Sequence, residues 1–216
     1  MPRDSYAGYR AQLVEAVRKT GVRDLSVLRA IGEVPRHVFV PPAMLRQAYQ
    51  DTSLPIGNGQ TISQPSTQAR ALEALKLTGR EKVLEVGTGS GYQTALLALV
   101  AGQVFSIERV ASLAARARAA LAAAGASNVS LLVGDGTLGW RAYAPYDAIV
   151  VAAASPEVPA PLLEQLGPGG RMLLPLGDRT NQMLTLVTVG ADGTPVATPL
   201  TDARFVPLLG RHGFDA

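Results

Sequence analysis

The sequence predicts an α/β fold in which a doubly wound, mainly parallel sheet follows a short helical segment and ends in an antiparallel hairpin. From Lys82 onward, short apolar strands alternate with helices, as expected when helical crossovers join parallel strands. The strand predicted at 146–154 is apolar apart from Asp147, which is typical of strands covered by helices on both faces. Glycines follow the first strand of this series, at the edge of the sheet where such folds bind ligands.

We expect a single domain at 1–216, because a chain of this length can bury one substantial core. Two helices are predicted near the start, the second with Asp24 as its N-cap, before three prolines prevent a third. The predicted parts are a helical lead-in at 1–50 (helices at 5–21 and 24–34), an uncharged loop at 51–66 and the α/β core at 67–216.

The elements of the core follow from apolar runs separated by glycine and proline. A helix closed by Gly79 precedes the first strand. In chain order we predict a helix at 67–79, a strand at 82–87, a helix at 92–102, a strand at 103–108, a helix at 109–125, strands at 128–136 and 146–154, a short helix at 159–170, a strand at 171–177 and a hairpin at 182–202 around "GADG".

Composition excludes several classes of protein. The chain is 47% hydrophobic, its first twenty residues lack a signal-peptide core, and its longest apolar run, 148–154, is too short for a membrane span. It has no cysteine and only two histidines, His37 and His212, so we expect no disulfide and no metal site. The net charge of +3 comes from scattered arginines. We therefore expect a cytoplasmic monomer that binds neither membranes nor nucleic acid.

The segment "LEVGTGSGY" places a glycine loop directly after the first core strand. Any strand-to-helix turn can use glycine for a left-handed conformation, so the loop alone is weak evidence. A dinucleotide-binding motif starting at Gly87 would need a glycine where Tyr92 stands, which argues against an NAD-dependent dehydrogenase. The observed pattern is an acidic residue, Glu85, followed by Gly87, Gly89 and Gly91, without the lysine of a phosphate-binding loop.

Carboxylates follow three successive core strands: Glu85, then Glu108 in "FSIER", then Asp135 in "VGDG". A carboxylate after the second strand can accept both hydroxyls of a ribose, and one after the third can accept from the exocyclic amine of adenine. Glu85 can lie near a cationic amino group. Together these positions suit a positively charged nucleoside without phosphates, which describes S-adenosylmethionine.

In these segments the chain resembles the protein-L-isoaspartate (D-aspartate) O-methyltransferase family. The similarity covers 34–210 in order, and "GQTISQP" and "RFVPL" are its most specific motifs. The other matching segments are "VPRHVFVPP", "AYQDTSLPIGN", "VLEVGTGSGYQTALLA", "VFSIER", "NVSLLVGDGTLGW", "YDAIVVAAASPEVP" and "LLEQLGPGGRMLLPLG". The resemblance implies a Rossmann-like class I methyltransferase fold, with 51–66 as the active-site loop and 67–216 as the cofactor-binding core with a C-terminal substrate segment.

The resemblance also implies an activity and a set of site residues. The implied reaction is methyl transfer from S-adenosylmethionine to the misplaced carboxylate of L-isoaspartyl and D-aspartyl residues in proteins and peptides, which leaves S-adenosylhomocysteine. Ser63 is the implied catalytic position. The predicted cofactor contacts are Thr61, Gln64, Glu85, Gly87, Thr88, Gly89, Gly91, Glu108, Arg109, Asp135 and Gly136, and the predicted substrate contacts are Ile56, Ser63, Arg204, Phe205 and Val206.

The predicted active-site loop lies in a stretch of 18 residues, 52–69, that contains no charged residue and no histidine. This absence fits the implied chemistry, because a substrate carboxylate with a pKa of about 3.9 is already ionised at pH 7 and needs no general base. We interpret Ser63 as a hydrogen-bond donor that orients the carboxylate and not as a nucleophile. The alternative is a structural serine in a turn before Pro65.

Two other functions are compatible with a nucleoside-binding fold. An amine or nucleic-acid N-methyltransferase often carries Asn/Asp-Pro-Pro-aromatic after the fourth strand, where this chain has "AAASPEVP". A non-catalytic RNA-binding protein would show salt-dependent RNA affinity without methyl transfer. The three retained carboxylates argue against a protein that has lost its cofactor.

Overall fold

The computed structural model describes residues 5–190 and 193–215. Its N-terminal part contains the two predicted helices, α1 (Ala7–Lys19) and α2 (Leu25–Glu33). The Asp24 carboxylate accepts hydrogen bonds from the N–H groups of Ser26 and Val27, which confirms the predicted N-cap. Two short 3₁₀ turns follow, at Arg36–Phe39 and Pro42–Gln47.

The segment 51–66, which we expected to be a loop throughout, contains a small β-hairpin. Strand β1 (Leu54–Gly57) pairs antiparallel with β2 (Gln60–Ile62). Asn58 and Gly59 connect them with φ values of 54° and 68°. Two successive residues with positive φ are characteristic of the type I′ turn, whose twist matches that of a hairpin. The active-site segment is therefore a hairpin followed by two residues, Ser63 and Gln64, that lead into a helix.

Helix α3 (Pro65–Leu75) begins earlier than predicted and ends before Gly79. Pro65 occupies the first helical position, where its fixed φ favours the helix. The helix ends because Lys76 adopts a left-handed conformation with φ 47°, and the Thr78 N–H then donates to the Glu81 carboxylate. Gly79 belongs to the connection that follows, so the predicted helix end is wrong.

The central sheet confirms the predicted alternation of strands and helices. Its strand order is β5–β4–β3–β6–β7–β8–β9, parallel from β5 to β7 and antiparallel from β7 to β9. The carboxyl ends of β3, β4, β5 and β6 therefore meet at one edge. The elements are β3 (Lys82–Val86), α4 (Tyr92–Val100), β4 (Gln103–Glu108), α5 (Ala111–Ala123), β5 (Val129–Val133), β6 (Tyr146–Val151), α6 (Ala160–Leu163), β7 (Leu166–Gly177), β8 (Gln182–Val189) and β9 (Pro195–Ala203).

The region 159–170 differs from its prediction. Helix α6 is one turn long, and β7 already begins at Leu166, which pairs with Tyr146 of β6. The run "GPGG" at 167–170 explains the early end, because glycine and proline are the poorest helix formers. The antiparallel β8–β9 hairpin is confirmed, although residues 191 and 192 at its predicted tip lie outside the described residues.

Alternating side chains of the central strands pack into two apolar layers. On one face, Val83 packs with α1, α2, α3 and α4; on the other, Leu84 packs with the side chains of β7 and α6. The lead-in contributes Leu13 and Val17 to the first layer, both almost completely buried. The lead-in helices thus share a core with the sheet.

Within the described part of the chain, no helix is long and apolar enough to cross a bilayer. The same residues contain no group of three His, Asp or Glu side chains placed to hold a metal ion.

Candidate active site

The glycine loop connects β3 to α4 and adopts the conformations that its composition predicts. Gly87, Gly89 and Gly91 have φ values of 95°, 56° and 89°, which other residues rarely adopt. Gly91 is the N-cap of α4, and a Cβ there would lie 3.3 Å from side-chain atoms of Ala117 and Leu121. It therefore permits close packing of α4 on α5. Gly87 and Gly89, in contrast, line a cavity beside the glycine loop, which we name the main cavity.

The main cavity lies at the carboxyl edge of the parallel strands. Its walls come from the active-site hairpin, the glycine loop, the end of β4 and the C-terminal segment. The lining residues are 60–63, 86–90, 107–110 and 206–209, together with Gln68, Gln93, Gly136, Ala152 and Ala153. The predicted contacts Thr61, Gly87, Thr88, Gly89, Glu108, Arg109 and Gly136 are all among them.

Glu108 occupies the position expected for a ribose-binding carboxylate. One of its oxygens accepts the Gly89 N–H at 2.8 Å and the other accepts the Val110 N–H at 2.9 Å. Each carboxylate oxygen has a second lone pair, so both oxygens can still accept a ligand hydroxyl. The two backbone bonds hold this carboxylate beside the glycine loop.

Glu85 does not line the main cavity, contrary to our expectation that it would contact a ligand. Its side chain is fully buried, and its oxygens accept hydrogen bonds from Gln93, Thr94 and Ser106. Burial raises the pKa of Glu85 to about 7, although these three hydrogen bonds oppose the shift. Gln93 also lines the cavity, so Glu85 can influence a ligand only through its neighbours.

The raised pKa of Glu85 predicts a pH-dependent effect on stability. Its ordinary value of 4.5 applies to the unfolded chain and its folded value is about 7, so the folded state binds the proton more tightly. The carboxyl therefore stabilises the protein fully below pH 4.5, and this contribution is lost as the pH rises towards 7. Glu85→Gln cannot ionise. We therefore expect the melting temperature of this variant, minus that of the wild type at the same pH, to increase by about 3 °C or more between pH 4.5 and pH 8.

Glu81→Gln is the matched control for this measurement. Burial opposes ionisation of Glu81, but hydrogen bonds from Thr78 and Arg80 outweigh it and hold its pKa below the ordinary value. The Glu81 carboxylate stops contributing to stability only as the pH falls below about 4.5. The melting temperature of Glu81→Gln relative to the wild type should therefore not increase over the same pH range. A melting-temperature difference for Glu85→Gln that stays constant with pH would contradict the assigned shift.

Asp135 also lies outside the main cavity. It accepts the N–H and hydroxyl of Thr137 and the N–H of Arg211. Burial alone would raise the pKa of Asp135. The hydrogen bonds have the larger effect, so this pKa lies below its usual value. A Cβ at Gly210 would lie 2.2 Å from the Asp135 carboxylate, so the C-terminal segment packs directly on this side chain. In this structure Asp135 anchors that segment, which was not the role expected from its position.

A groove adjoins the main cavity on the side of the active-site hairpin. Thr61, Ser63 and Val206 line both the cavity and the groove, so they mark the junction between them. The predicted contacts Arg204 and Phe205 line the groove only. The remaining lining residues are Ser53, Gln64, Thr67, Asp202 and Ala203.

Two predicted site residues lie elsewhere. Gln64 lines the groove but not the main cavity, because its Nε2 donates to Asp51 Oδ2 at 3.0 Å. Ile56 is 2% exposed and lines a separate apolar pocket on the far side of the glycine loop, next to Gly89. A cofactor contact by Gln64 and a substrate contact by Ile56 therefore stay predictions.

Sequence reasoning missed two glutamines at the site. Gln68 is 5% exposed and lines the main cavity, and its Oε1 has no hydrogen-bond partner among the described residues. Gln182 holds Phe205 in place, accepting its N–H at 2.6 Å and donating to its carbonyl at 3.1 Å. The only sequence signal for Gln68 is its position one helical turn after Gln64, and nothing in the sequence around Gln182 indicates its role.

The fold and the cavity together define the class of protein. A parallel sheet with an antiparallel end, a glycine loop after its first core strand and a carboxylate after the second are the features of Rossmann-like methyltransferases. The family model described as protein-L-isoaspartate(D-aspartate) O-methyltransferase matches residues 9–213. The chain belongs to this family.

Individual proteins agree with the family match. A protein-L-isoaspartate O-methyltransferase 1 of Anaeromyxobacter sp. (strain Fw109-5) is 56% identical over 205 residues, covering 94% of this chain and 97% of its own length. The protein-L-isoaspartate O-methyltransferase of Geobacter metallireducens is 49% identical, covering 95% of each chain. A solved protein-L-isoaspartate O-methyltransferase has a TM-score of 0.86 at 30% identity, covering 94% of this chain and 67% of its own.

A second solved structure supports the fold. A Plasmodium falciparum protein described as a protein-L-isoaspartate O-methyltransferase, in complex with S-adenosyl-L-homocysteine, has a TM-score of 0.82 at 24% identity. The alignment covers 93% of this chain and 98% of that protein.

Proposed function

We propose that this protein methylates the misplaced carboxylate of L-isoaspartyl and D-aspartyl residues in damaged proteins and peptides, with S-adenosylmethionine as the methyl donor. One observation carries the proposal beyond family membership. Ser63, with Thr61 and Val206, lines both the main cavity and the groove, at the place where a donor and a carboxylate acceptor would meet. The methyl ester then cyclises without the enzyme to a succinimide, with loss of methanol. Part of the succinimide hydrolyses to normal aspartate.

The chemistry of the main cavity fits S-adenosylmethionine. Glu108 offers acceptors for the two ribose hydroxyls. Gln68 Oε1, which has no hydrogen-bond partner among the described residues, can accept a hydrogen bond from the ligand. A Cβ at Gly136 would lie 2.4 Å from Val86 Cγ1, so this wall admits no larger residue. Among the described residues that line the cavity, Arg109 is the only basic one, and it is exposed, which does not favour a polyphosphate ligand.

The residues of the groove have to bind and orient, because the acceptor is already a carboxylate ion. When bound, S-adenosylmethionine supplies a sulfonium methyl group, and transfer to the carboxylate oxygen yields the methyl ester and S-adenosylhomocysteine. No proton leaves the nucleophile, which agrees with a groove whose only charged lining residues are Asp202 and Arg204. The Ser63 hydroxyl donates to the carboxylate and fixes its direction of approach. Orientation of this kind can contribute effective molarities on the order of 10⁵ M.

We also propose that 1–216 works as one methyltransferase domain and as a cytoplasmic monomer. The lead-in 1–50, the active-site segment 51–66 and the core 67–216 share one apolar layer. The groove carries one acidic and one basic residue, so it lacks the basic surface that nucleic-acid phosphates require.

The experiment that tests the function uses two peptides that differ only in isoaspartate or aspartate at one position. With methyl-labelled S-adenosylmethionine, we expect label on the isoaspartyl peptide and at most a trace on the other. Equal labelling of both peptides, or of neither, would contradict the proposed substrate. Transfer to RNA in a parallel reaction would support the N-methyltransferase alternative instead.

Gln182 provides a separate test of the substrate segment. Its side chain is 7% exposed and holds both backbone polar groups of Phe205, so Gln182→Leu should release the segment from β8. We expect KM for the isoaspartyl peptide to rise about tenfold, with a much smaller change in affinity for S-adenosylhomocysteine. Gln103→Leu, at an exposed position at the start of β4, is the control. An unchanged KM in folded Gln182→Leu would show that the segment needs no such support.

A further inference from the structure

Arg36 is a buried cation that donates two of its four hydrogen bonds to the active-site segment, 51–66, and the other two to residues just before it. Its side chain is completely buried, in the 3₁₀ turn that follows α2. The guanidinium donates to four backbone carbonyls: Ala48 at 2.7 Å, Gln50 at 3.4 Å, Thr52 at 3.0 Å and Ser63 at 3.1 Å. All four lie between residues 48 and 63, and the last belongs to the residue at the junction of cavity and groove.

Asp51 binds the residues that directly follow Ser63. One of its carboxylate oxygens accepts the Gln64 side-chain amide at 3.0 Å, and the other accepts the Ser66 N–H at 2.8 Å. Arg36 and Asp51 therefore tie 48–52 to Ser63 and to two residues that follow it, Gln64 and Ser66. The β1–β2 hairpin leaves and returns between these two attachments.

Tyr92 connects this arrangement to the glycine loop. It is the first residue of α4, directly after Gly91, and its ring centroid lies 5.4 Å from the Arg36 guanidinium carbon. Such a distance permits a cation–π contact. Arg36 thus contacts the segment that carries the active-site hairpin, through Thr52 and Ser63, and also the start of α4, which follows the glycine loop.

We propose that Arg36 is a positioning residue for methyl transfer, which fixes the Ser63 backbone so that its hydroxyl faces the junction of cavity and groove. This inference rests on the proposed function. Burying a charge is costly unless it is hydrogen-bonded, and here four carbonyls between residues 48 and 63 bind both terminal nitrogens, while Nε has no hydrogen-bond partner among the described residues. A lysine could not replace it, because only the planar guanidinium has donors that fan out to four separate carbonyls.

The buried charge also suits a carboxylate substrate. Because Arg36 is 0% exposed, a substrate cannot form an ion pair with it. Its positive charge nevertheless lies within hydrogen-bonding distance of the Ser63 carbonyl, although Arg36 lines neither the cavity nor the groove. The exposed Arg204, which lines the groove, can form a direct ion pair with the substrate. Arg36 instead supplies a positive charge that no substrate can contact.

The test compares Arg36→Lys and Arg36→Gln with the wild type on the isoaspartyl peptide. We expect both variants to lose at least about tenfold in kcat, since small displacements of a reacting group cost that much or more, and to keep S-adenosylhomocysteine affinity within about twofold. Arg118→Lys is the matched control, because Arg118 is exposed and donates only to the Leu131 carbonyl. It should have wild-type kcat.

A double-mutant cycle separates positioning from a general structural role. If Arg36 acts through the Ser63 hydroxyl, Arg36→Lys should cost much less in a Ser63→Ala background than in the wild type. Equal losses in both backgrounds, or wild-type kcat in folded Arg36→Lys, would overturn the inference. So would failure of both variants to fold with saturating cofactor, which would make Arg36 a residue for overall stability. An inactive wild type would instead refute the proposed function.

Discussion

Replacing Ser63 with alanine should lower kcat for methyl transfer by about 10²–10³-fold, by analogy with the loss of one placed donor in an oxyanion site. Ser63 is half-buried and lines both the cavity and the groove, so its hydroxyl is placed to orient the substrate carboxylate. Since it is not a nucleophile in this mechanism, the variant should retain measurable activity. Initial rates with labelled S-adenosylmethionine give kcat, and calorimetry should give an S-adenosylhomocysteine affinity close to that of the wild type.

The controls distinguish an orienting serine from a structural one. Ser26→Ala, at an exposed position on α2, should leave the rate unchanged. Ser63→Thr keeps a hydroxyl and should retain more activity than alanine. Full activity in Ser63→Ala would favour the structural turn before Pro65. A methyl group covalently attached to Ser63 during turnover would refute the direct transfer to the carboxylate.

Replacing Gly89 with valine should weaken S-adenosylhomocysteine binding by about 100-fold or more, which corresponds to about 2.8 kcal/mol. Gly89 has φ 56°, its N–H donates to Glu108, and it lines the main cavity. A β-branched side chain disfavours this conformation and would narrow the space available to the cofactor. Isothermal calorimetry with S-adenosylhomocysteine measures the loss directly.

Gly125→Val controls for backbone strain alone. Gly125 follows α5 with φ 76°, and a Cβ there would meet nothing within 4 Å. Both variants should lose thermal stability, but only Gly89→Val should lose affinity. Unchanged affinity in folded Gly89→Val would show that the glycine loop is not part of the cofactor site.

The alternation of apolar runs and glycines was enough to predict the sheet, its direction and the glycine loop. It was not enough to place Glu85. This residue pairs with Ser106 of β4 one position before β3 ends, so its side chain lies beneath α4. Glu108 lies two residues beyond Ser106, at the last position of β4, and therefore reaches Gly89. A carboxylate at the last position of its strand, like Glu108, thus reaches the cavity, whereas one that lies a single position earlier, like Glu85, is buried.

The remaining errors arose where tertiary contacts determine the structure. The β1–β2 hairpin is only a few residues long, so its alternation is hard to detect even though Asn58-Gly59 favours its turn. Asp135 follows its strand as predicted, but the C-terminal segment packs against it. Arg36 and Gln182 act through partners distant in sequence, and Gln68 lines a cavity built from distant segments, so no local pattern could indicate their roles.

One wall of the main cavity is built from 206–209, after every other segment that lines it has been synthesised. This wall is attached to the sheet through Ala154, which donates to the Val206 carbonyl and accepts the Leu208 N–H. A ribosome-bound chain that has not reached this point can form β3, β4 and the glycine loop, yet the pocket for the methyl donor remains open on one side. We therefore expect tight cofactor binding only once residue 209 has been synthesised and this wall has packed against the sheet.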